Sequence, residues 1–128
     1  MTQPHAAEPP EPKTILVCDD EESLRELIRA VLGDEYHYLE CEDGESALEL
    51  IRSESPDLVV LDVMLPRRNG LEVLAELRRD PEHGKTPVVV VTAWSYAVDA
   101  AAAAGADVFL PKPFEPDHLK GTVEELIG

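Results

Sequence analysis

Leu58-Val59-Val60-Leu61-Asp62 is an apolar run of four residues closing on a carboxylate, and Val63-Met64-Leu65-Pro66 carries the chain on to Asn69-Gly70. A run this short, continuously apolar and without alternation predicts a strand buried on both faces, as in a parallel sheet covered by helices. Three other runs share its form. Thr14 to Cys18 leads into Asp19 and Asp20, Val88 to Val91 into Thr92, and Val108 to Leu110 into Pro111-Lys112. Parallel strands bring their carboxyl ends to one edge of the sheet, where open α/β sheets bind ligands. If the four runs share a sheet, three carboxylates, a hydroxyl and an ammonium converge there.

Outward from these runs, strand-like segments alternate with segments of helical period, the pattern of stacked βαβ units. Strands are predicted at Thr14–Cys18, Tyr36–Cys41, Leu58–Asp62, Val88–Thr92 and Val108–Leu110, the second being an edge because Tyr36, His37 and Glu40 interrupt it. Helices are predicted at Glu22–Leu32, with Leu24, Leu27, Ile28, Val31 and Leu32 on one face, and at Glu45–Ser53, burying Ala47, Leu48 and Ile51. A third runs from Gly70 to Arg79 with Asn69 as its cap, a fourth from Tyr96 to Ala104, and a fifth from Pro116, a residue suited to a first turn. The expectation is a single α/β domain, a doubly wound five-stranded parallel sheet with five helices, over residues 13–128. Met1 to Pro12, with prolines at positions 4, 9, 10 and 12, is expected to be a disordered tail.

The formal charge is −16, from 27 acidic and 11 basic side chains, and the basic ones are scattered. A polyanion would be repelled, so direct nucleic-acid binding by this domain is not expected. No apolar stretch approaches membrane-spanning length and none resembles a signal peptide. Cys18 and Cys41 lack the paired spacing of a zinc site or disulfide framework and are expected to be reduced packing residues, although neighbouring strand ends would place them close enough to oxidise. A cytoplasmic location is expected.

Acids before a helix favour its positive end, which accounts for one or two of Asp19, Asp20, Glu21 and Glu22. It accounts less well for acids at the end of a buried strand facing a third at Asp62, because clustered carboxylates repel unless a cation sits among them. Oxygen donors without histidine or cysteine select magnesium over zinc. Asp62 is the candidate nucleophile, since a carboxylate beside a divalent cation can hold a phosphoryl group as an acyl phosphate. Thr92 and Lys112 would supply a hydroxyl donor and a fixed positive charge. Lys112 stands between Pro111 and Pro113, where the backbone has little freedom.

From about Lys13 onward the chain resembles the receiver domains of two-component response regulators. The matching stretches are Ile15-Leu16-Val17-Cys18-Asp19-Asp20-Glu21, Asp57 to Pro66 with Gly70, Val91-Thr92-Ala93, Gly105-Ala106-Asp107 with Phe109, and Lys112-Pro113-Phe114. The resemblance implies a flavodoxin-like sheet of strand order 2-1-3-4-5 and phosphotransfer to Asp62 from a phosphohistidine on a sensor histidine kinase or phosphotransfer protein. It implies Mg2+ held directly by Asp20, Asp62 and the Met64 backbone carbonyl, and through water by Asp19. Thr92 and Lys112 would sense the phosphoryl group, Phe109 would change rotamer, and the face of helix four, strand five and helix five would then bind a downstream protein, as a monomer or phosphorylation-dependent dimer. Helix one and its neighbouring loops would dock the kinase. From Thr92 to Lys112 the chain is about two residues shorter than is common in the family, so helix four is expected to be abbreviated. Trp94 is expected to shield the acyl phosphate from water.

The same residues weigh against three other readings. A haloacid-dehalogenase-like phosphatase needs an Asp two positions after the nucleophile, where this chain has Met64. A flavin-binding flavodoxin would cradle a phosphate in the first loop, which Asp19-Asp20-Glu21-Glu22 would repel. A phosphorylation-independent binding module would not need the full set of site residues. The chain is thus expected to be a phosphoacceptor rather than an enzyme, whether it stands alone or belongs to a longer regulator.

Overall fold

In chain order the strands are β1 (Thr14–Cys18), β2 (His37–Cys41), β3 (Leu58–Leu61), β4 (Val88–Thr92) and β5 (Val108–Pro111). They alternate with helices α1 (Glu22–Leu32), α2 (Gly44–Glu54), α3 (Gly70–Arg79), α4 (Val98–Ala104) and α5 (Pro116–Ile127). The computed structural model describes residues 11–128; the expected tail falls on residues 1–10, outside the described residues, and on Glu11 and Pro12, which are exposed. All four strand pairings are parallel, and the order is β2-β1-β3-β4-β5. The five-stranded doubly wound, flavodoxin-like fold expected from the sequence is the fold observed.

The continuously apolar strands split their side chains between two cores by the period of two. Leu16, Cys18, Val59, Leu61, Val88 and Val90 face α2, α3 and α4 through Leu48, Ile51, Leu74, Leu77 and Ala101. Ile15, Val17, Leu58, Val60, Val89 and Val91 face α1 and α5 through Ile28, Leu32, Leu119 and Val123. Both faces of β1, β3 and β4 are therefore dry, and only the strand ends reach water. The connections that leave β1 and β3 lead to α1 and α3 on opposite faces of the sheet, so the carboxyl ends of these two strands border the crevice at the switch point.

Several boundaries differ from expectation. β2 starts at His37, because Tyr36 turns to pack edge-on against Tyr38, with ring centroids 6.3 Å apart. β3 ends at Leu61: the Asp62 side chain accepts the Met64 backbone N–H at 3.0 Å and turns the chain out of the ladder. β5 extends one residue to Pro111, and α2 spans one residue more at each end, with the Asp43 carboxylate accepting the Ser46 N–H as its cap. The predicted fourth helix opens instead as a 3-10 turn at Ser95–Ala97, leaving a seven-residue α4. Leu27, placed on the buried face of the first helix by its period, is 47% exposed. Asn69 is the cap expected for α3, and Glu72 reciprocates by accepting the Asn69 backbone N–H. Among the described residues no helix is long and apolar enough to cross a membrane.

Gly121 lies inside α5, and a Cβ there would meet nothing within 4 Å. Its backbone freedom is lost on folding without any packing return. Gly121→Ala should stabilise the fold by about 0.5–1 kcal/mol in urea unfolding; a lower midpoint would contradict this.

Candidate functional site

Asp19 follows β1 and Asp62 follows β3, both emerging where strand pairing ends, and each is almost fully buried, 2% and 5% exposed. Their backbone N–H groups are held by neighbouring strands, Asp19 N–H by the Cys41 carbonyl at 3.1 Å and Asp62 N–H by the Cys18 carbonyl at 3.0 Å. Each carboxylate is aimed by a turn of its own: an Asp19 oxygen accepts the Glu21 N–H at 2.9 Å, as Asp62 accepts that of Met64. Glu21 is the N-cap of α1 and makes no side-chain capping bond. Asp19 is thus turned toward the sheet edge, and Glu21 is not used as a side-chain cap.

Lys112 closes the site from β5. Its Nζ donates to Asp19 Oδ2 and to Asp62 Oδ2, each at 2.8 Å, so one ammonium bridges the ends of β1 and β3. The Lys112 backbone N–H donates to the Thr92 carbonyl at 2.8 Å, and the Lys112–Pro113 peptide is cis. Asp20 is exposed, and the carboxylates of Asp19, Asp20 and Glu21 have oxygens within 4.8 Å of one another. The tightest acidic group therefore includes Glu21, which the sequence did not single out, while Asp62 joins Asp19 through Lys112. No backbone N–H among the described residues donates to the Met64 carbonyl oxygen.

Burial and charge oppose each other here. Burial pushes the Asp62 carboxyl up, but the Lys112 ammonium and the Met64 N–H outweigh it and hold Asp62 below the usual carboxylate range. Burial dominates at Asp19 and raises it, Lys112 notwithstanding. Burial lowers Lys112, yet its bonds to Asp19 and Asp62 more than restore it, so its ammonium form is favoured. Of the two carboxyls, Asp62 is the one shifted toward its ionised form. A depressed carboxyl stabilises the fold above its unfolded pKa and loses that contribution as pH falls through its folded value. Lys112→Met should raise the Asp62 titration midpoint, followed by carboxyl carbon NMR; an unmoved midpoint would mean that Lys112 is not what holds it down.

Thr92 is fully buried at the end of β4, and its Oγ1 accepts the Trp94 backbone N–H at 3.3 Å. Phe109 pairs in register with Val90 and packs partly buried against the core on the α4 side. Thr92 follows Val90 by two residues, so the hydroxyl and the aromatic ring lie on one face of the sheet. Trp94 stacks on the exposed Tyr96 with centroids 5.6 Å apart. Beside Lys112 an open cleft of about 620 Å³ is lined by Leu24, Leu27, Ala93, Pro113 and Phe114, which accounts for the exposure of Leu27.

A second contributor, besides Glu21, was not singled out in the sequence. Arg25, on α1, donates from Nη1 to the Asp19 backbone carbonyl at 2.6 Å and from Nε to Glu40 at 2.9 Å. It ties the first loop to β2. Its signal was present in the helical period: Arg25 shares a stripe with Ile28 and Leu32, and a charge on a buried stripe needs a partner.

Residues 15–124 match the response regulator receiver domain family. The chain belongs to that family. This receiver domain is 42% identical over 119 residues to the response regulator MprA of Mycolicibacterium vanbaalenii, covering 91% of this chain and 51% of MprA. It thus spans about half the length of such curated relatives. Among solved structures, the chemotaxis response regulator CheY4 of Vibrio cholerae superposes with a TM-score of 0.82 at 27% identity, covering 91% of this receiver domain and 99% of CheY4. The phosphorylated cyanobacterial phytochrome response regulator RcpA superposes at 0.83 with 25% identity, over 91% and 95% of the two chains.

Proposed function

We propose that the receiver domain, residues 13–128, takes a phosphoryl group onto Asp62 from the phosphohistidine of a sensor histidine kinase or phosphotransfer protein. The observation that carries this reading is the Lys112 ammonium bridging Asp19 and Asp62 at 2.8 Å each, with the buried Asp62 carboxyl held below the usual carboxylate range. In the transfer, an Asp62 oxygen attacks phosphorus, the P–N bond breaks, a P–O bond forms, and the freed imidazole nitrogen takes up a proton. Lys112 neutralises charge on the phosphoryl oxygens, and the Thr92 hydroxyl offers them a donor.

An all-oxygen donor set suits Mg2+, with Asp20, Asp62 and the Met64 carbonyl as direct ligands and Asp19 acting through water. Bound there, the ion would neutralise phosphoryl oxygen charge during transfer. The exposed carboxylate of Asp20 and the Met64 carbonyl, which takes no backbone bond, fit that role. The cleft beside Lys112, with Leu24, Leu27 and Phe114 on its wall, suits the docking of the phosphoryl donor's helices.

Thr92 drawn toward a phosphoryl group would leave the Trp94 N–H that it now accepts, and Phe109 on the same face could move into the vacated space. The surface of α4, β5 and α5 would then change for a downstream protein. Incubation with acetyl phosphate and Mg2+ should add about 80 Da to the intact mass, one phosphoryl group, and a chain that stays unmodified would defeat the reading. Trp94→Ala should speed loss of the label by about threefold or more, or about 0.7 kcal/mol of barrier, if the indole shields it. Equal or slower loss would remove that role.

A further inference from the structure

We infer that Cys18 and Cys41 form an oxidisable pair whose closure to an intrachain disulfide slows phosphorylation at Asp62. The two residues are register partners across the parallel β1–β2 pair, on the face covered by α2, α3 and α4. Their Sγ atoms are 3.2 Å apart, both thiols free. Paired strands stand about 4.8 Å apart, within the Cα separations of roughly 4.4–6.8 Å that a disulfide spans. Closure to about 2.05 Å asks the sulfurs to approach through rotamer changes at both residues together with a small shift of the paired backbone.

The pair is not equally sheltered. β2 is the edge strand, and Cys41 is 8% exposed against 1% for Cys18. A small peroxide can therefore reach Cys41 first. The Cys41 sulfur, its proton released to water, attacks one peroxide oxygen; the O–O bond breaks, hydroxide leaves, and a sulfenic acid remains. The Cys18 sulfur then attacks the Cys41 sulfur, an S–S bond forms, and the S–O bond breaks to release water carrying the Cys18 proton. The two thiols lose two electrons, and one hydrogen peroxide becomes two waters.

The same two residues position both buried carboxylates: the Cys41 carbonyl accepts the Asp19 N–H and the Cys18 carbonyl accepts the Asp62 N–H. Drawing Cys18 and Cys41 together shifts the backbone that aims Asp19 and Asp62 at Lys112. The rate effect rests on the reading of Asp62 as the phosphoacceptor; formation of the disulfide does not.

The test treats the full chain with hydrogen peroxide, alkylates it with iodoacetamide in denaturant, and weighs it intact. The expected result is a loss of about 2 Da with neither cysteine alkylated, reversed by dithiothreitol. Cys41→Ser and Cys18→Ala should each leave one thiol that cannot form this product. Oxidised protein should then take up phosphoryl from acetyl phosphate about threefold or more slowly than reduced protein, and dithiothreitol should restore the rate. Two alkylated cysteines after peroxide would overturn the disulfide, and equal labelling of both redox forms would overturn its effect on Asp62. A reduced chain that takes no label at all would fault the phosphoacceptor reading instead, with the mass result still deciding the disulfide.

Discussion

Asp62→Asn should take up no phosphoryl group from acetyl phosphate and Mg2+, a loss of labelling on the order of a hundredfold or more, while the fold survives. An amide oxygen has the shape of the carboxylate oxygen it replaces, so it can still accept the Met64 N–H that ends β3. What disappears is the anionic oxygen: the amide has no ionised lone pair to attack phosphorus. Lys112 keeps Asp19 as a partner at 2.8 Å, so the ammonium is not stranded by the change. Intact mass and urea unfolding together give the reading. Persistent labelling of a folded Asn variant would move the acceptor elsewhere, with Asp19 the first place to look.

Gly70→Ala should be severely damaging for the addition of a single methyl group. A Cβ at Gly70 would stand 2.2 Å from the Asp62 carbonyl oxygen, 2.8 Å from the Val63 Cα and 2.9 Å from the Asp62 carbonyl carbon. All three are backbone atoms, so no side chain can swing aside. Gly70 N–H also donates to the Val63 carbonyl at 2.8 Å, which seats the start of α3 directly on the turn that carries Asp62. Relief requires separating α3 from the end of β3, at a cost of about 3 kcal/mol or more. The expected outcome is a clearly lowered urea midpoint together with slow phosphorylation of whatever remains folded. Wild-type stability in the alanine variant would show that α3 and the Asp62 turn are not tightly joined. Gly121→Ala, with the same chemistry in open space, is the built-in contrast.

Both outcomes depend on features with different visibility in the sequence. Asp62 was conspicuous because a carboxylate ended a buried apolar run. Gly70 was visible as the start of a helix and as part of the family resemblance, but not as a contact of Asp62. Its closeness to the Asp62 carbonyl arises where the β3–α3 loop folds back, and no local pattern records that distance.

The sequence by itself determined the five strand–helix units, the parallel sheet and the placement of Asp19, Asp62, Thr92 and Lys112 at strand ends. These follow from local periodicity and from the rule that parallel strands share a carboxyl edge. Only the tertiary structure decided what those groups touch. Lys112, 93 residues from Asp19 and 50 from Asp62, was placed between them by the packing of β5 across the sheet. Arg25 became a clamp on the first loop, Leu27 was left facing a cleft, and Cys18 met Cys41, each through an encounter between separate elements. Side-chain period states which way a residue points. Which neighbour it finds, and hence which way each carboxyl's pKa moves, depends on distances fixed by the assembled layers.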